Sequence, residues 1–530
     1  MKDVVLISGK LNDSAVEAFR SNPKLEVIYR PDCSRTELEQ LMPRCHVLVS
    51  RSETNVDREL IEMAPLLKVI ARAAVGVGNI DLDVATEKGV LVINTPGKNT
   101  NSAAELTLGL ILAMFRNIPQ AHATVKGGGW DRHRFTGKEL RGKTIGIVGL
   151  GNVGHRVAQF AHGFDMKVYA YDPYIAPEVF LRHGAIPSES LKSLAAGVDI
   201  LSLHVPLNKE TKGMVTPAIL AAMKPGSYLV NAARGGLVAE DALLDALHSG
   251  QLLGVAIDTF EAEPKPNPRL LADERVWCSP HIGASTHEAQ QAIADTIVEQ
   301  VSKALAGGVV DYPVNLPQIG IIDKPLYRAY AVLAEKLGSL VGQILTFNPQ
   351  SVEFRYRGDI AAADNALLRL SWMKGYANQV VDTFVSFVNV TSHFETMGIR
   401  IAEVNDPAFA SYKSALKVVV TGAQGQELTV GGIVFDDRYL RISLINDFYF
   451  EIEPQGNLLI VENHDRPGVV GDLGHYLADH GVNISSFTLS RNKQGGMAMA
   501  IVVIDGELHK EQLAQIKEIK HIESARFVKL

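Results

Sequence analysis

Three things are scarce in this chain, and each scarcity removes a class of protein. Only Cys33, Cys45 and Cys278 occur among 530 residues, with no CxxC pair. That excludes a disulfide framework, offers no thiolate metal site, and fits a reducing compartment. Long apolar runs are missing too: LTLGLILAMF, residues 106–115, is about half of what a membrane-spanning helix needs. Positive charge is not in excess, since 52 Lys and Arg face 59 Asp and Glu for a net charge of −7. A nucleic-acid footprint or a polybasic membrane patch is therefore not expected, and basic contacts to a small anion have to be local. The opening MKDVVLISGK reads as a first strand rather than a signal peptide, so the expectation is a soluble cytoplasmic protein.

What is present is the material for several cores. Hydrophobic residues make up 46% of the chain, with 45 Gly and 23 Pro spread along it, and the length suggests three or four domains. Short β-branched runs at 3–8, 25–29, 46–50, 68–72 and 90–93 alternate with helical stretches, which implies βαβ units and a parallel sheet. A long apolar helix, NSAAELTLGLILAMFRN, then leads to a second βα series beginning at GKTIGIVGLGNVG. The helix after SPHIGAST ends near Gly307-Gly308, and DYPVNLP reads as a linker. Residues 316–453 combine two amphipathic helical stretches with strand-like runs such as ALKVVVTG, and from about 454 a β-α-β-β-α-β pattern takes over. The expected division is 1–97 plus 285–315, 98–284, 316–453 and 454–530.

GLGNVG places Gly149, Gly151 and Gly154 in GxGxxG spacing between a strand and a helix. The first glycine permits the turn, the second lets the backbone approach a pyrophosphate, and the third lets the helix pack on the strand. The phosphate would sit at the helix N-terminus beside Asn152 and Val153. Asp172, about twenty residues on, can accept the ribose hydroxyls and repel a 2′-phosphate, so NAD is expected over NADP.

Three later segments each deliver polar residues just past a strand-like run: NAARGGLV (Arg234), AIDTFEAEP (Asp258, Glu261, Glu263) and CSPHIGAST (His281). Oxidising a secondary alcohol by hydride transfer needs a base, a group to hold it, and a cation for a carboxylate. His281, Glu263 and Arg234 can fill these roles. Arg51 and Arg72, each after an N-terminal strand, suggest a second anionic group such as phosphate.

GLGNVG, HVPLNKETKGMV, NAARGGLV, DTFEAEP and SPHIGAST closely resemble the D-2-hydroxyacid dehydrogenase family over residues 1 to about 315. The resemblance implies two doubly wound parallel-sheet domains, Rossmann-type and flavodoxin-like, with His281 as acid/base, Glu263 as its partner and Arg234 as the substrate clamp. It places Asp258 on the cofactor carboxamide side. His204, Pro206, Thr211, Ala232 and Gly283 line the cofactor region, and Cys278 is structural. The N-terminal lobe and the loop GGGWDRHRF resemble the branch that oxidises 3-phosphoglycerate at the start of serine synthesis. By that likeness Arg51, Arg72 and the backbone at Val75 and Gly76 hold the substrate, while Trp130 packs across a dimer and Arg132 approaches the substrate phosphate in the neighbouring subunit. Val75 and Gly78 stand where relatives often have Thr and Asp, so the backbone matters more there than the Val75 side chain. Other readings on the same fold are a glyoxylate- or hydroxypyruvate-type dehydrogenase and a non-catalytic NAD-sensing corepressor.

The stretch IVENHDRPGVVGDLG opens a segment that resembles a ferredoxin-like ACT domain, a module that pairs side by side and binds amino acids. By that resemblance Asp465 and Asn483 contact an effector such as L-serine, and Asn463 stands where some relatives carry His or Tyr. Residues 316–453 resemble the α+β domain placed between the catalytic and ACT parts of long-form members. A homodimer, or a homotetramer if the ACT domains also pair, is expected. No metal is expected.

Overall fold

A computed structural model describes residues 2–306, 310–316, 325–362, 364–406 and 413–530. Gly307-Gly308 lie outside them. The N-terminal lobe is built on strands β1 (Asp3–Ile7), β2 (Leu25–Tyr29), β3 (Val47–Ser50), β4 (Val69–Arg72) and β5 (Leu91–Ile93). They form one parallel sheet in the order β2-β1-β3-β4-β5. β3 and β4 are buried at every position, as near-continuous apolar strands covered on both faces must be. The helix His287–Leu305 returns to this lobe and places Ile293, Ala294, Ile297 and Val301 in one core with Val5, Val47 and Val69.

The second lobe carries β6 (Thr144–Val148), β7 (Lys167–Tyr171), β8 (Ile186–Pro187), β9 (Ile200–Leu203), β10 (Ser227–Asn231), β11 (Leu252–Ile257) and β12 (Val276–Cys278). All pair in parallel, in the order β12-β11-β10-β9-β6-β7-β8. The apolar helix Thr100–Arg116 packs on this sheet through Leu108, Ile111 and Phe115. It stops at Asn117, whose φ of 51° is left-handed.

The stretch 311–316, read as linker from its Pro and Asn content, is pinned to the first lobe instead. Pro313 bridges Ile93, Val314 N–H donates to Val92 O, and Asn315 Oδ1 accepts from Val92 N–H at 2.8 Å. Asn315 fills the backbone partners that edge strand β5 would otherwise leave open. Pro317 lies outside the described residues.

The C-terminal part holds two more sheets. β13 (Pro349–Gly358), β14 (Arg400–Asp406), β15 (Ser414–Gly422), β16 (Glu427–Phe435), β17 (Tyr439–Ile445) and β18 (Phe448–Ile452) form a mixed sheet in which only β13 and β14 are parallel. Of its two main helices, Pro325–Ile344 and Ala366–Val380, the second is buried nearly all round, with Leu368, Leu370, Trp372, Met373 and Tyr376 inside. It is a core helix rather than the amphipathic one expected. β19 (Asn457–His464), β20 (Ile484–Arg491), β21 (Met497–Ile504) and β22 (Ile522–Lys529) form an antiparallel sheet ordered β20-β21-β19-β22. One face, through Leu459 and Val461, covers the helix Val469–Asp479. The other face, through Leu458, Ile460, Met499, Ile501 and Val528, shares a core with Leu340, Phe354 and Trp372. The third and fourth sheets are therefore joined by burial as well as by chain. The third domain also touches the first lobe, where Ser386 Oγ donates to Gly89 O at 2.7 Å.

Candidate active site

Each glycine of GLGNVG meets a different constraint. Gly149 has a φ of +87°, and a Cβ there would come within 2.8 Å of His204 O. A Cβ on Gly154 would lie 2.0 Å from Gly149 O, so helix and strand touch only because it has none. Around Gly151 nothing lies within 4 Å of a Cβ, at the point where the helix Asn152–Gly163 begins. Two glycines thus shape the turn, and the third leaves an open approach to free N–H groups, as pyrophosphate binding requires. Asp172 follows β7, with Oδ2 accepting from Leu150 N–H at 2.9 Å and Oδ1 from Tyr174 N–H at 3.1 Å. Its carboxylate is therefore fixed at the rim of the glycine loop. The exposed Asn152 lies against Gly97 in the connection between lobes, and Val153 packs on the second-lobe core.

Along the 204–211 loop, His204 Nε2 lies 2.8 Å from Ser202 Oγ, and burial pushes its pKa down to about 4. Thr211 Oγ closes the loop by donating to Pro206 O at 2.6 Å. Ala232, half-buried, sits at the C-terminal end of β10.

Adjacent strands β10, β11 and β12 bring Arg234, Asp258 and His281 to one edge of the sheet, the edge where open α/β sheets bind ligands. His281 has a φ of +53°, a conformation few non-glycine residues adopt. Asp258, fully buried, explains how it is held. Its Oδ1 accepts from Ser279 Oγ (2.6 Å) and Ile282 N–H (2.9 Å), and its Oδ2 from Gly283 N–H (2.9 Å). Asp258 and Gly283, expected beside the cofactor, also brace the histidine loop.

Glu263 Oε2 lies 2.7 Å from His281 Nδ1, while its Oε1 accepts from Phe260 N–H at 2.9 Å. A carboxylate accepts only, so Nδ1 bears the hydrogen and Nε2 keeps its lone pair. Arg234 is half-buried, and burial lowers its pKa while Glu263 opposes the fall.

Across the cleft, Gly76 faces Arg234: a Cβ added there would lie 3.1 Å from Nη2. Arg72 is 4% exposed. Its Nε donates to Gly76 O at 2.9 Å, but its buried Nη1 has no partner. Burial pushes the Arg72 pKa down to about 10; Glu53 opposes the fall, and Arg51 and Arg234 add to it. Arg51 Nη1 reaches Lys10 O and Gln290 Oε1, leaving its buried Nε unpartnered. Val75 contributes its carbonyl to Asn94 Nδ2 (2.7 Å). Three guanidiniums thus share one cleft, and Arg51 and Arg72 each keep a buried N–H unsatisfied, an arrangement that an anion completes.

Sequence reasoning missed two partners. Gln290 orients Arg51 from the returning helix. Glu240, 8% exposed, accepts from Glu261 N–H at 2.9 Å, while Glu261 accepts from Glu240 N–H at 3.0 Å. This clasp ties the Glu263 loop to the helix Glu240–His248, and an acid in a first helical turn was the available signal. Arg132 and Trp130 are exposed, Trp130 by 82%, and the described contacts do not bring them to the cleft. Asp465 Oδ2 accepts from Arg491 (3.2 Å) and Gly495 N–H (3.0 Å), and Asn483 donates to Asp505 (2.7 Å). β19 and β20 both run antiparallel to β21, so these two residues lie at opposite ends of the sheet. Asn463 is buried and bonds to His464 O. Among the described residues no cluster of three His, Cys, Asp or Glu could hold a metal, and no helix is long and apolar enough to cross a membrane.

Comparison with known proteins agrees with this geometry. Residues 108–283 match the NAD binding domain of D-isomer specific 2-hydroxyacid dehydrogenases, 327–446 the D-3-phosphoglycerate dehydrogenase intervening domain, and 457–519 the ACT domain. A D-3-phosphoglycerate dehydrogenase of Methanocaldococcus jannaschii is 36% identical over 99% of both chains, and one of Mycobacterium tuberculosis 38% identical over 95% of both. Among solved structures, an Aquifex aeolicus D-lactate dehydrogenase complexed with NAD and lactic acid is 30% identical, with a TM-score of 0.52 over 57% of this chain and 96% of that one. With these relatives spanning nearly its whole length, the chain belongs to the D-3-phosphoglycerate dehydrogenase family of NAD-dependent oxidoreductases.

Proposed function

We propose that this chain oxidises 3-phosphoglycerate to 3-phosphohydroxypyruvate with NAD, the first step of L-serine biosynthesis, in the cytoplasm. The observation that carries the reading is the trio Arg51, Arg72 and Arg234, with unpartnered buried N–H groups on Arg51 and Arg72, beside the Glu263–His281 pair. A substrate with a carboxylate at one end and a phosphate at the other matches two separated cationic anchors. Arg234 grips the carboxylate, and Arg51 and Arg72 take the phosphate. His281 Nε2 accepts the C2 hydroxyl proton, and Glu263 stabilises the imidazolium that results. NAD, when bound on the second lobe, supplies the hydride acceptor. Asp172 holds its ribose hydroxyls, and the amides near Gly151 hold its pyrophosphate.

A steady-state assay comparing 3-phosphoglycerate with D-glycerate tests the substrate. Equal specificity constants would move the chain to a glyoxylate- or hydroxypyruvate-type activity. His281→Ala separates an enzyme from an NAD-sensing corepressor: the enzyme loses orders of magnitude in turnover while still binding NAD.

Assembly as a homodimer is supported by the exposed Trp130, which lacks cover in one chain and would bring Arg132 to a partner's cleft. L-serine regulation through the ACT part is supported by topology. Asp465 and Asn483 are separated by an eight-residue strand, about 27 Å at roughly 3.4 Å per residue. Antiparallel pairing of two β20 edges would set Asn483 of one protomer beside Asp465 of the partner subunit, giving a tetramer when the NAD lobes pair as well. Calorimetry with L-serine on the intact oligomer tests this, and absence of binding ends the serine reading.

A further inference from the structure

We propose that the cavity between the third and fourth sheets is a binding site for a small zwitterionic α-amino acid, distinct from the Asp465 and Asn483 corners. The proposal does not rest on the serine reading above. The cavity measures about 200 Å³. One wall is a cross-strand row of the fourth sheet, Met499–Glu462–Ser524, with Arg526 one step along β22. The opposite wall is Ile344, which ends the 20-residue helix Pro325–Ile344, together with Glu427 at the start of β16.

Charge defines the ligand. Neither Glu427, which is exposed, nor the half-buried Glu462 forms an ion pair among the described residues. The helix adds the partial negative charge of its carbonyl end at Ile344. Glu462 and the helix end place negative potential on one small space, and the exposed Glu427 adds to it, so an occupant brings a cation there. Arg526 is the one cation among the lining residues, and it already donates to Ile344 O. Its planar fork has further N–H groups for a carboxylate.

Spacing then fixes the kind of molecule. Glu462 stands opposite Ser524 and Arg526 opposite Ile460, which makes Glu462 and Arg526 diagonal neighbours, about 7–8 Å apart along the backbone. They do not pair with each other. An ammonium on Glu462 and a carboxylate on Arg526, each at about 2.8 Å, fit an α-amino acid bridging that diagonal. The cavity size limits its side chain to a small one. Because the two sheets share a core across this cavity, an occupant would contact both domains at once.

Calorimetry on the full chain with glycine and L-serine tests the site, with ethanolamine and acetate as single-charge controls. Saturable binding of an amino acid is expected, with neither control reproducing it. Glu462→Gln keeps the shape and should weaken binding tenfold or more. Ser524→Leu, which fills the space, should do the same with the melting temperature unchanged. Asp465→Ala should leave this binding intact. In the Asp465→Ala background, which disables the ACT edge, saturable binding that survives Glu462→Gln or Ser524→Leu overturns the proposal; so does loss of all saturable binding there, which assigns the amino acid to the ACT edge instead.

Discussion

Gly76 and Arg234 meet across the cleft between the two lobes, closely enough that a Cβ on the glycine would stand 3.1 Å from Arg234 Nη2 and force the guanidinium to give. The guanidinium is held from behind by Ala233 O at 2.6 Å, so it cannot retreat freely. Gly76→Val should push it off the substrate carboxylate. The expected outcome is a KM for the anionic substrate at least tenfold higher, about 1.4 kcal/mol, with NAD affinity unchanged. An unchanged KM, or an equal loss of NAD affinity in a fluorescence titration, would contradict this placement of Arg234.

Gly151 and Gly154 belong to one motif but should fail differently. Gly154→Ala drives a methyl group to 2.0 Å from Gly149 O. Overpacking of this kind costs typically about 1–3 kcal/mol, so the melting temperature should fall together with NAD binding. Gly151→Ala meets nothing in the protein. It should melt like the parent yet bind NAD more weakly, because the methyl group occupies space meant for phosphate. Calorimetric melting and a binding titration on both variants separate the two roles.

The Glu240–Glu261 clasp makes Glu240 a positioning residue for Glu263. Glu240→Ala removes the acceptor for the part-buried Glu261 N–H, at a cost of about 1 kcal/mol. With the loop loosened, the Glu263–His281 contact weakens and the imidazolium loses support. The acid limb of the pH profile of kcat/KM should therefore move to lower pH as activity falls. Glu240→Gln retains an acceptor oxygen and should restore both. A purely structural role would lower activity without moving the profile.

These contacts show which parts of the site a sequence can display. GLGNVG and Asp172 are local, and their spacing carries their physics, so the structure adds distances rather than roles. His281, Glu263 and Arg234 lie on three loops and become a site only because β10, β11 and β12 are neighbours, which family resemblance supplied and composition could not. Glu240 and Glu261 are twenty-one residues apart, and neither looks unusual alone. The stretch around Asn315 looked like a linker because Pro and Asn favour loops, whereas its side-chain amide serves a sheet edge. Asp465 and Asn483 looked like one corner in the sequence; strand direction places them at opposite ends of a sheet.

His204 gives the chain a predictable response to acid. Burial holds its folded pKa near 4, below the ordinary value near 6.5. Between those values the unfolded chain takes up a proton that the folded chain refuses, so the unfolded state binds more protons and stability falls as pH drops. The loss starts near pH 6.5 and levels off below about 4, where both states are protonated. His204→Asn keeps a polar group beside Ser202 and removes the titration. Other groups titrate alike in both proteins and cancel in the difference. The parent's melting temperature should therefore fall further than the variant's between pH 7 and 4.5; parallel curves would mean that the half-buried His204 is not held neutral by the fold.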